Sequence, residues 1–485
     1  MRDKIKAALV TPIRAMRLRY LPLLMIYYAY GALGLIAIAE AFWVKDALTF
    51  TPAELAGIAV WLTLPWTIKM VFGQLADSVP LLGSQRRAYV FIGASLVASG
   101  LILLAGAAGG WIAFASKNAI YVAARSMIVI GIVMQDVIAD AMTTEVVERV
   151  YPDGTPRPKA EVERELGLVQ VLGRLALWSG ILSVAGLSGW LAKAFSYETV
   201  FLIGLAIPAL SVTGAALVRL DGTAPKPVDW RILGGGMAYG AVVLAIGLGG
   251  LPFGQELIFA LSLAVIALML ARIGQTLDEA HRKRIFYAAL VIFLYRASPG
   301  VGEGYRWFTI DVLGFDEAFY GTLAQIGAAL SLAGAWLFSD VITRQPIAKV
   351  LLWLTVIGTV LALPSIGLAF RLDVWTEATF GFGARTIALI DTTAAAPFAE
   401  LSMIPALTLV AINAPAGSRA TWFALMASLM NIALVAGQLQ TKYLNLLFEV
   451  DRGSYASLAG LTVAAVTIGF IVPLAGILAF GKRAT

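Results

Sequence analysis

Apolar runs long enough to cross a bilayer recur along the whole of this chain, and that recurrence limits its fold more than any other feature. A spanning helix needs about 20 mostly apolar residues. Candidates lie at 21–44, 55–75, 88–108, 118–142, 166–192, 197–219, 232–250, 255–273, 285–311, 317–338, 347–370, 384–412, 420–447 and 456–480, about fourteen spans in all. With 60% hydrophobic and 14% charged residues over 485 positions and a mean hydropathy of +0.84, no water-soluble fold hides so much apolar surface. The expected fold class is an all-α polytopic membrane protein.

The charged residues between the runs orient the spans. Alternating the connections puts about 24 of the 36 Lys and Arg on one side, with the amino terminus and the loops near Arg86, Arg157, Arg282 and Arg344, against about 6 opposite. That side is expected to be cytoplasmic, with both termini inside, and the location is expected to be a bacterial cytoplasmic (inner) membrane. The formal charge of +6 reflects this bias and forms no aromatic-interleaved basic stripe, so no nucleic acid partner is expected. The expected partners are the lipid bilayer and a small-molecule substrate, and the chain is expected to be a monomer.

Other classes find no residues to build on. The chain has no Cys and a single His281, so thiolate metal sites and Cys nucleophiles are excluded and no metal or cofactor is expected. There is no Gly-rich phosphate loop ending in Lys, and no polar loop is long enough to fold as a catalytic domain. The reading is therefore not an enzyme and not an ATP-driven pump on its own.

A short internal echo suggests duplication. Asp46-Ala-Leu-Thr-Phe50 followed by Gly57 is matched by Asp311-Val-Leu-Gly-Phe315 followed by Gly321, each leading into a block of about six spans. The expected organisation is a cytoplasmic segment 1–20, a six-helix bundle 21–219, a linker 220–284 carrying two further spans, a second six-helix bundle 285–480, and a tail 481–485.

Between the second and third spans runs Gly73-Gln-Leu-Ala-Asp77-Ser-Val-Pro-Leu-Leu-Gly83-Ser-Gln-Arg86-Arg87. Gly73 permits close helix approach, and Asp77 at a helix end faces Arg86 and Arg87 across a turn, a latch for one access state. A plain positive-inside turn accounts for the arginines but not for the Gly and Asp spacing. This stretch resembles the loop motif of the major facilitator superfamily in the proline-containing form of the folate-biopterin transporter family. Tyr30-Gly31-Ala-Leu-Gly34, Leu64-Pro65-Trp66 with Lys69, Gln135-Asp136-Val-Ile-Ala-Asp140, Ala297-Ser-Pro299, Asp391, Pro415-Ala-Gly417 and Phe423-Ala-Leu-Met-Ala-Ser428 with Asn431 extend the resemblance over both halves. Arg419 stands where the family pattern is acidic. The resemblance implies two six-helix bundles of the major facilitator architecture, here with a two-helix insert, and a secondary carrier for folate or pterin working by alternating access, with proton symport. A carrier of another anionic or zwitterionic metabolite, and a non-transporting assembly protein on the same fold, are the alternatives.

Ionisable groups inside the membrane are costly unless paired or wetted, and so mark functional candidates. The fourth run places Arg125, Asp136 and Asp140 on one helix stripe, and neighbouring carboxylates raise one another's proton affinity. Asp136 and Asp140 are the proton-coupling candidates, although Asp140 equally suits a structural partnership with the loop. The fifth run adds Arg174, and the ninth adds Arg296 and Glu303 around Pro299, Gly300, Gly302 and Gly304, which permit a broken helix. A flat hydrogen-bonding ring with an acidic tail calls for aromatic faces and arginines. The substrate-binding candidates are therefore Arg125, Asp136, Arg174, Arg296, Glu303, Trp66 and Tyr30.

Overall fold

The computed structural model describes residues 16–81, 83–217, 227–275, 277–414 and 419–484. Among them every regular element is helical. Thirteen helices are long and apolar enough to cross a membrane. They are α1 (Leu18–Ala47), α2 (Pro52–Ser78), α3 (Arg87–Gly109), α4 (Lys117–Glu145), α5 (Lys159–Ala194), α6 (Tyr197–Leu217), α7 (Trp230–Leu248), α8 (Gly254–Gly274), α11 (Glu317–Thr343), α12 (Ile347–Ala369), α14 (Ala384–Ile412), α15 (Arg419–Leu447) and α16 (Leu458–Ala484). The fourteenth expected span, 285–311, is divided into α9 (Glu279–Arg296) and α10 (Glu303–Asp311), which is why it does not count as one continuous helix. A short helix, α13 (Leu372–Phe380), lies between α12 and α14.

The chain forms two compact units. The first contains Met1–Leu48 and Lys69–Ala238, and the second contains Thr49–Ile68 and Tyr239–Thr485. The first half of α2 thus belongs to the second unit and its second half to the first.

In the first unit α3 packs along α4, and α1 packs along α5 and α6. Small residues set the spacing, as in many membrane bundles. A Cβ on Gly31 of α1 would stand 2.1 Å from the Leu177 carbonyl oxygen of α5, and one on Gly180 of α5 would stand 2.3 Å from the Tyr28 carbonyl oxygen of α1. Gly93 and Gly131 face each other's backbone in the same way between α3 and α4. The core gathers Tyr20, Leu23, Tyr27, Tyr89 and Ile138.

In the second unit α9 packs on α16, and α15 packs on the first half of α2 and on α8. The core gathers Ile292, Leu409, Trp422, Met426 and Ile432. Two helix breaks need partners for freed backbone groups, because lipid supplies none, and α15 provides them. Near the break that follows Pro65 in α2, Ser428 Oγ donates to the Thr67 carbonyl at 2.8 Å and Asn431 Nδ2 donates to the Trp66 carbonyl at 3.0 Å. Between α9 and α10, Gln440 Nε2 donates to the Ala297 carbonyl at 2.6 Å and Asn445 Nδ2 donates to the Val301 carbonyl at 3.0 Å. The Gly300 N–H donates to Thr441 Oγ1 at 2.9 Å. Gly302, with φ of 84°, turns the chain into α10, a conformation that disfavours other residues.

Candidate functional site

The first unit carries a polar cluster on its apolar spans. α2 breaks at Ile68, so Lys69 opens the second half of the helix and its ammonium pairs with Asp136 of α4. Asp136 is buried. One turn further along α4, Asp140 accepts a hydrogen bond from Tyr27 Oη at 2.6 Å. Thr143 Oγ1 accepts from Gln170 Nε2 of α5 at 2.8 Å. Gly173 leaves room for the Tyr27 ring, since a Cβ there would stand 2.8 Å from Cε2. Arg174 follows it and lies within Coulombic range of Asp136 and of the Tyr27 and Tyr30 hydroxyls.

Asp140, Gln170 and Arg174 are exposed, and Tyr30 and Lys69 are half-buried. Charged side chains exposed in mid-span face water or cargo rather than lipid. This face of the first unit therefore combines a partly buried ion pair, a hydrogen-bonded carboxylate and an arginine beside two tyrosines.

The stripe expected on α4 is divided. Arg125 lies on the same helix as Asp136, but its Nε is 3.0 Å from Glu40 of α1, and the Tyr121 hydroxyl donates to the same carboxylate at 3.2 Å. Eleven residues of helix separate Arg125 from Asp136 by about 16 Å, so they share a face but not a depth. Glu40, the partner missed at the sequence level, was readable as a lone acid in an apolar run.

Asp77 in the last turn of α2 meets Arg86 Nη2 at 2.7 Å, and Glu145 at the end of α4 meets the same nitrogen at 2.6 Å. Burial opposes the charge on Arg86, and the hydrogen bonds from Glu145 and Asp77 outweigh it, so its pKa is raised. The loop is thus tied to α4 through Glu145 and not through Asp140. Arg87 makes no ion pair among the described residues; its guanidinium lies 5.4 Å from the Phe91 ring centroid. Gly73 is not at a tight crossing, because a Cβ there would meet Val137 at an ordinary 3.6 Å. Arg86→Ala is expected to destabilise the protein by roughly 1 to 3 kcal/mol, since Glu145 loses a charged partner in a half-dry setting, and Arg87→Ala by less than about 0.5 kcal/mol; thermal unfolding in detergent checks both.

The second unit holds the remaining candidates. Glu303 pairs with Arg306 at 3.0 Å along α10, not with Arg296. Arg296, at the last turn of α9, donates to Met403 Sδ at 3.0 Å and has Glu400 within Coulombic range. Its Nε is buried without a hydrogen-bond partner among the described residues. Trp66 is half-buried and gives its carbonyl to Asn431. Trp307 is fully buried beneath Arg452, whose guanidinium is 4.1 Å from the ring centroid. The Arg419 side chain and Pro415–Gly417 lie outside the described residues.

The basic residues within the apolar spans include Lys69, Arg125, Arg174, Arg296, Arg306 and Lys442. Four have a carboxylate within ion-pair distance, Lys442 being 2.8 Å from Glu256. Among the described residues Arg174 and Arg296 have none.

Solved structures share this architecture. A POT family transporter in complex with 5-aminolevulinic acid superposes with a TM-score of 0.66 at 16% identity, over 96% of each chain. A peptide transporter POT mutant in complex with alafosfalin superposes with a TM-score of 0.62 at 19% identity, over 96% of this chain and 95% of that one. The fold is the all-helical membrane fold of the major facilitator architecture. Within it the chain belongs to the BT1 family, whose model matches residues 31–484. Among curated relatives, a folate-biopterin transporter of Synechocystis sp. is 26% identical over 463 residues, covering 94% of this chain and 80% of that protein. A probable folate-biopterin transporter 4 of Arabidopsis thaliana is 22% identical over 458 residues, covering 89% of each.

Proposed function

We propose that this protein is a secondary carrier that moves a folate or pterin across the membrane by alternating access, coupled to protons. The observation that carries the reading is the exposed polar cluster of the first unit, where Arg174, with no carboxylate at ion-pair distance among the described residues, stands beside Tyr27, Tyr30 and the Lys69–Asp136 pair. An arginine next to aromatic faces suits an acidic tail attached to a flat ring. Asp136 and Asp140 supply carboxylates for the ring edge or for a proton. Arg296 offers the second unit its own unpaired cation beside a broken helix, the kind of element on which carriers build ion and substrate sites. The relatives named as folate-biopterin transporters support the cargo class.

The working halves in this reading are 21–219 and 285–480, with 220–284 as an insert, and one chain is the unit of transport. The excess of basic residues among the connections on one side supports a reading with both termini in the cytoplasm, in a bacterial inner membrane. A ligand-induced thermal-shift screen in detergent tests the cargo. Folic acid and biopterin are expected to raise the unfolding temperature of wild type, and Arg174→Ala is expected to weaken the folic acid response by about tenfold in affinity, the loss of one charge-assisted contact. Stabilisation by citrate or another ringless anion equal to that by folic acid favours the broader anion carrier. Silence from every ligand favours a non-transporting assembly protein.

A further inference from the structure

Asp391 sits two turns inside α14, at half-burial in the apolar part of the second unit. Its Oδ2 accepts a hydrogen bond from Ser365 Oγ of α12 at 2.7 Å. The Ser365 carbonyl in turn accepts from the Tyr305 hydroxyl of α10 at 3.1 Å. Asp391 is thereby connected through one serine to the helix that follows the break at Gly302.

Among the described residues no cation approaches this carboxylate. Of the basic groups on the elements packed around α14, Arg296 of α9 donates to Met403 Sδ, well beyond Asp391 along α14, and Lys442 of α15 pairs with Glu256. Arg385, on α14 itself, donates to the Gly314 carbonyl at 2.9 Å and faces Asp316 at 3.6 Å. Arg371 is held by Asp373 at 3.1 Å. Lys349 of α12 reaches Gln345 at 3.4 Å, and Arg306 of α10 is paired with Glu303. The other titratable groups on these elements include Glu400 on α14 itself, Glu317 and Tyr320 on α11, Tyr305 and Asp311 on α10, and Glu377 on α13. Tyr320 exchanges its hydroxyl bond with Thr309 at 2.5 Å.

The contrast with the other acids of the spans is direct. Glu40, Asp136, Glu256 and Glu303 each have a cation within ion-pair distance. Asp140 shares the neighbourhood of Arg174, and Glu400 that of Arg296. A carboxylate in an apolar span with one hydroxyl donor and no counter-ion is balanced most simply by a proton. A single carboxylate and one hydroxyl also fall short of the oxygen shell a metal cation requires.

We infer that Asp391 is the residue that binds and releases the coupling proton in the second unit, with Ser365 as its hydrogen-bond partner and Tyr305 as the connection to the broken helix. In the loaded form the carboxyl holds the proton and keeps contact with the Ser365 hydroxyl. In the empty form the carboxylate is charged and requires water, which ties proton release to the entry of water beside Asp391. The coupling role rests on the carrier reading above; the protonation of Asp391 does not.

Two measurements test it. The first is an infrared pH titration of the purified full-length protein in lipid, comparing wild type, Asp391→Asn and Asp136→Asn. The carboxylic acid band that grows on acidification is expected to lose a component in Asp391→Asn and to keep that component in Asp136→Asn. An unchanged band in Asp391→Asn overturns the inference. The second compares proteoliposome accumulation of labelled folic acid with and without a one-unit inward proton gradient. A carrier moving one proton per cargo gains about tenfold from such a gradient. Wild type is expected to approach that ratio, and Asp391→Asn to show a ratio near one. A gradient response in Asp391→Asn equal to wild type overturns the coupling role. Failure of wild type to move folic acid strikes the cargo reading alone, because the infrared titration still decides whether Asp391 takes the proton.

Discussion

Asp136→Leu is expected to lower the rate of folic acid uptake at least about a hundredfold and to lower stability as well, and Lys69→Met is expected to do the same. Removing one partner of a buried ion pair leaves a charge without its counter-ion, which costs about 3 to 5 kcal/mol. Lys69 and Asp136 form such a pair between α2 and α4, with Asp136 buried. Replacing both partners by apolar residues of similar volume is often neutral or stabilising. The double variant Lys69→Met with Asp136→Leu is therefore expected to recover most of the thermal stability and none of the transport. Thermal unfolding in detergent and uptake by proteoliposomes, measured on all four proteins, separate the two roles. Recovery of both stability and uptake in the double variant means that the pair is a structural staple only.

Gly31→Val is expected to prevent assembly of the first unit. The new Cβ would stand 2.1 Å from the Leu177 carbonyl oxygen and 2.9 Å from the Ile181 nitrogen, and helix backbones cannot yield by an ångström without separating α1 from α5. Overpacking of this kind costs about 1 to 3 kcal/mol where side chains give way and more where backbone must. Gly34→Ala, three residues along the same helix, meets only the Val184 methyl at 3.5 Å and is expected to behave like wild type. Monodisperse yield on size-exclusion chromatography reads out both; equal yields for the two variants mean that the α1–α5 crossing does not depend on Gly31.

The architecture was legible because its causes are local. Length of apolar run, placement of basic loops and the Pro and Gly residues at 299–304 each act within a single segment, and thirteen spans and a further one divided between α9 and α10 follow from them. Partners across helices were not legible. Periodicity correctly put Arg125, Asp136 and Asp140 on one stripe of α4, but a stripe carries no information on depth or on which neighbour stands opposite. The structure gives Arg125 to Glu40, Asp136 to Lys69 and Asp140 to Tyr27. In the ninth run Arg296 and Glu303 were both site candidates, and helix geometry favours the i, i+3 pair of Glu303 with Arg306. The break between α9 and α10 also holds Arg296 and Glu303 on different helices.

Polar residues of α15 show the same limit. Ser428 and Asn431 stood out in sequence as part of a family resemblance, and Gln440, Thr441 and Asn445 did not stand out at all. In the structure both groups do one job, hydrogen-bonding backbone set free at the breaks in α2 and between α9 and α10. Helix breaks in a membrane are stable only with such partners, so a broken span read from sequence carries with it the expectation of a polar neighbour whose identity only packing reveals.

In the proposed reading, the exposed polar face of the first unit binds a folate or pterin for transport. Uptake of labelled folic acid by proteoliposomes containing the full-length protein tests it most directly. The account predicts saturable uptake, competed by excess biopterin and lost in Asp136→Leu; wild-type uptake no greater than that of empty liposomes contradicts it.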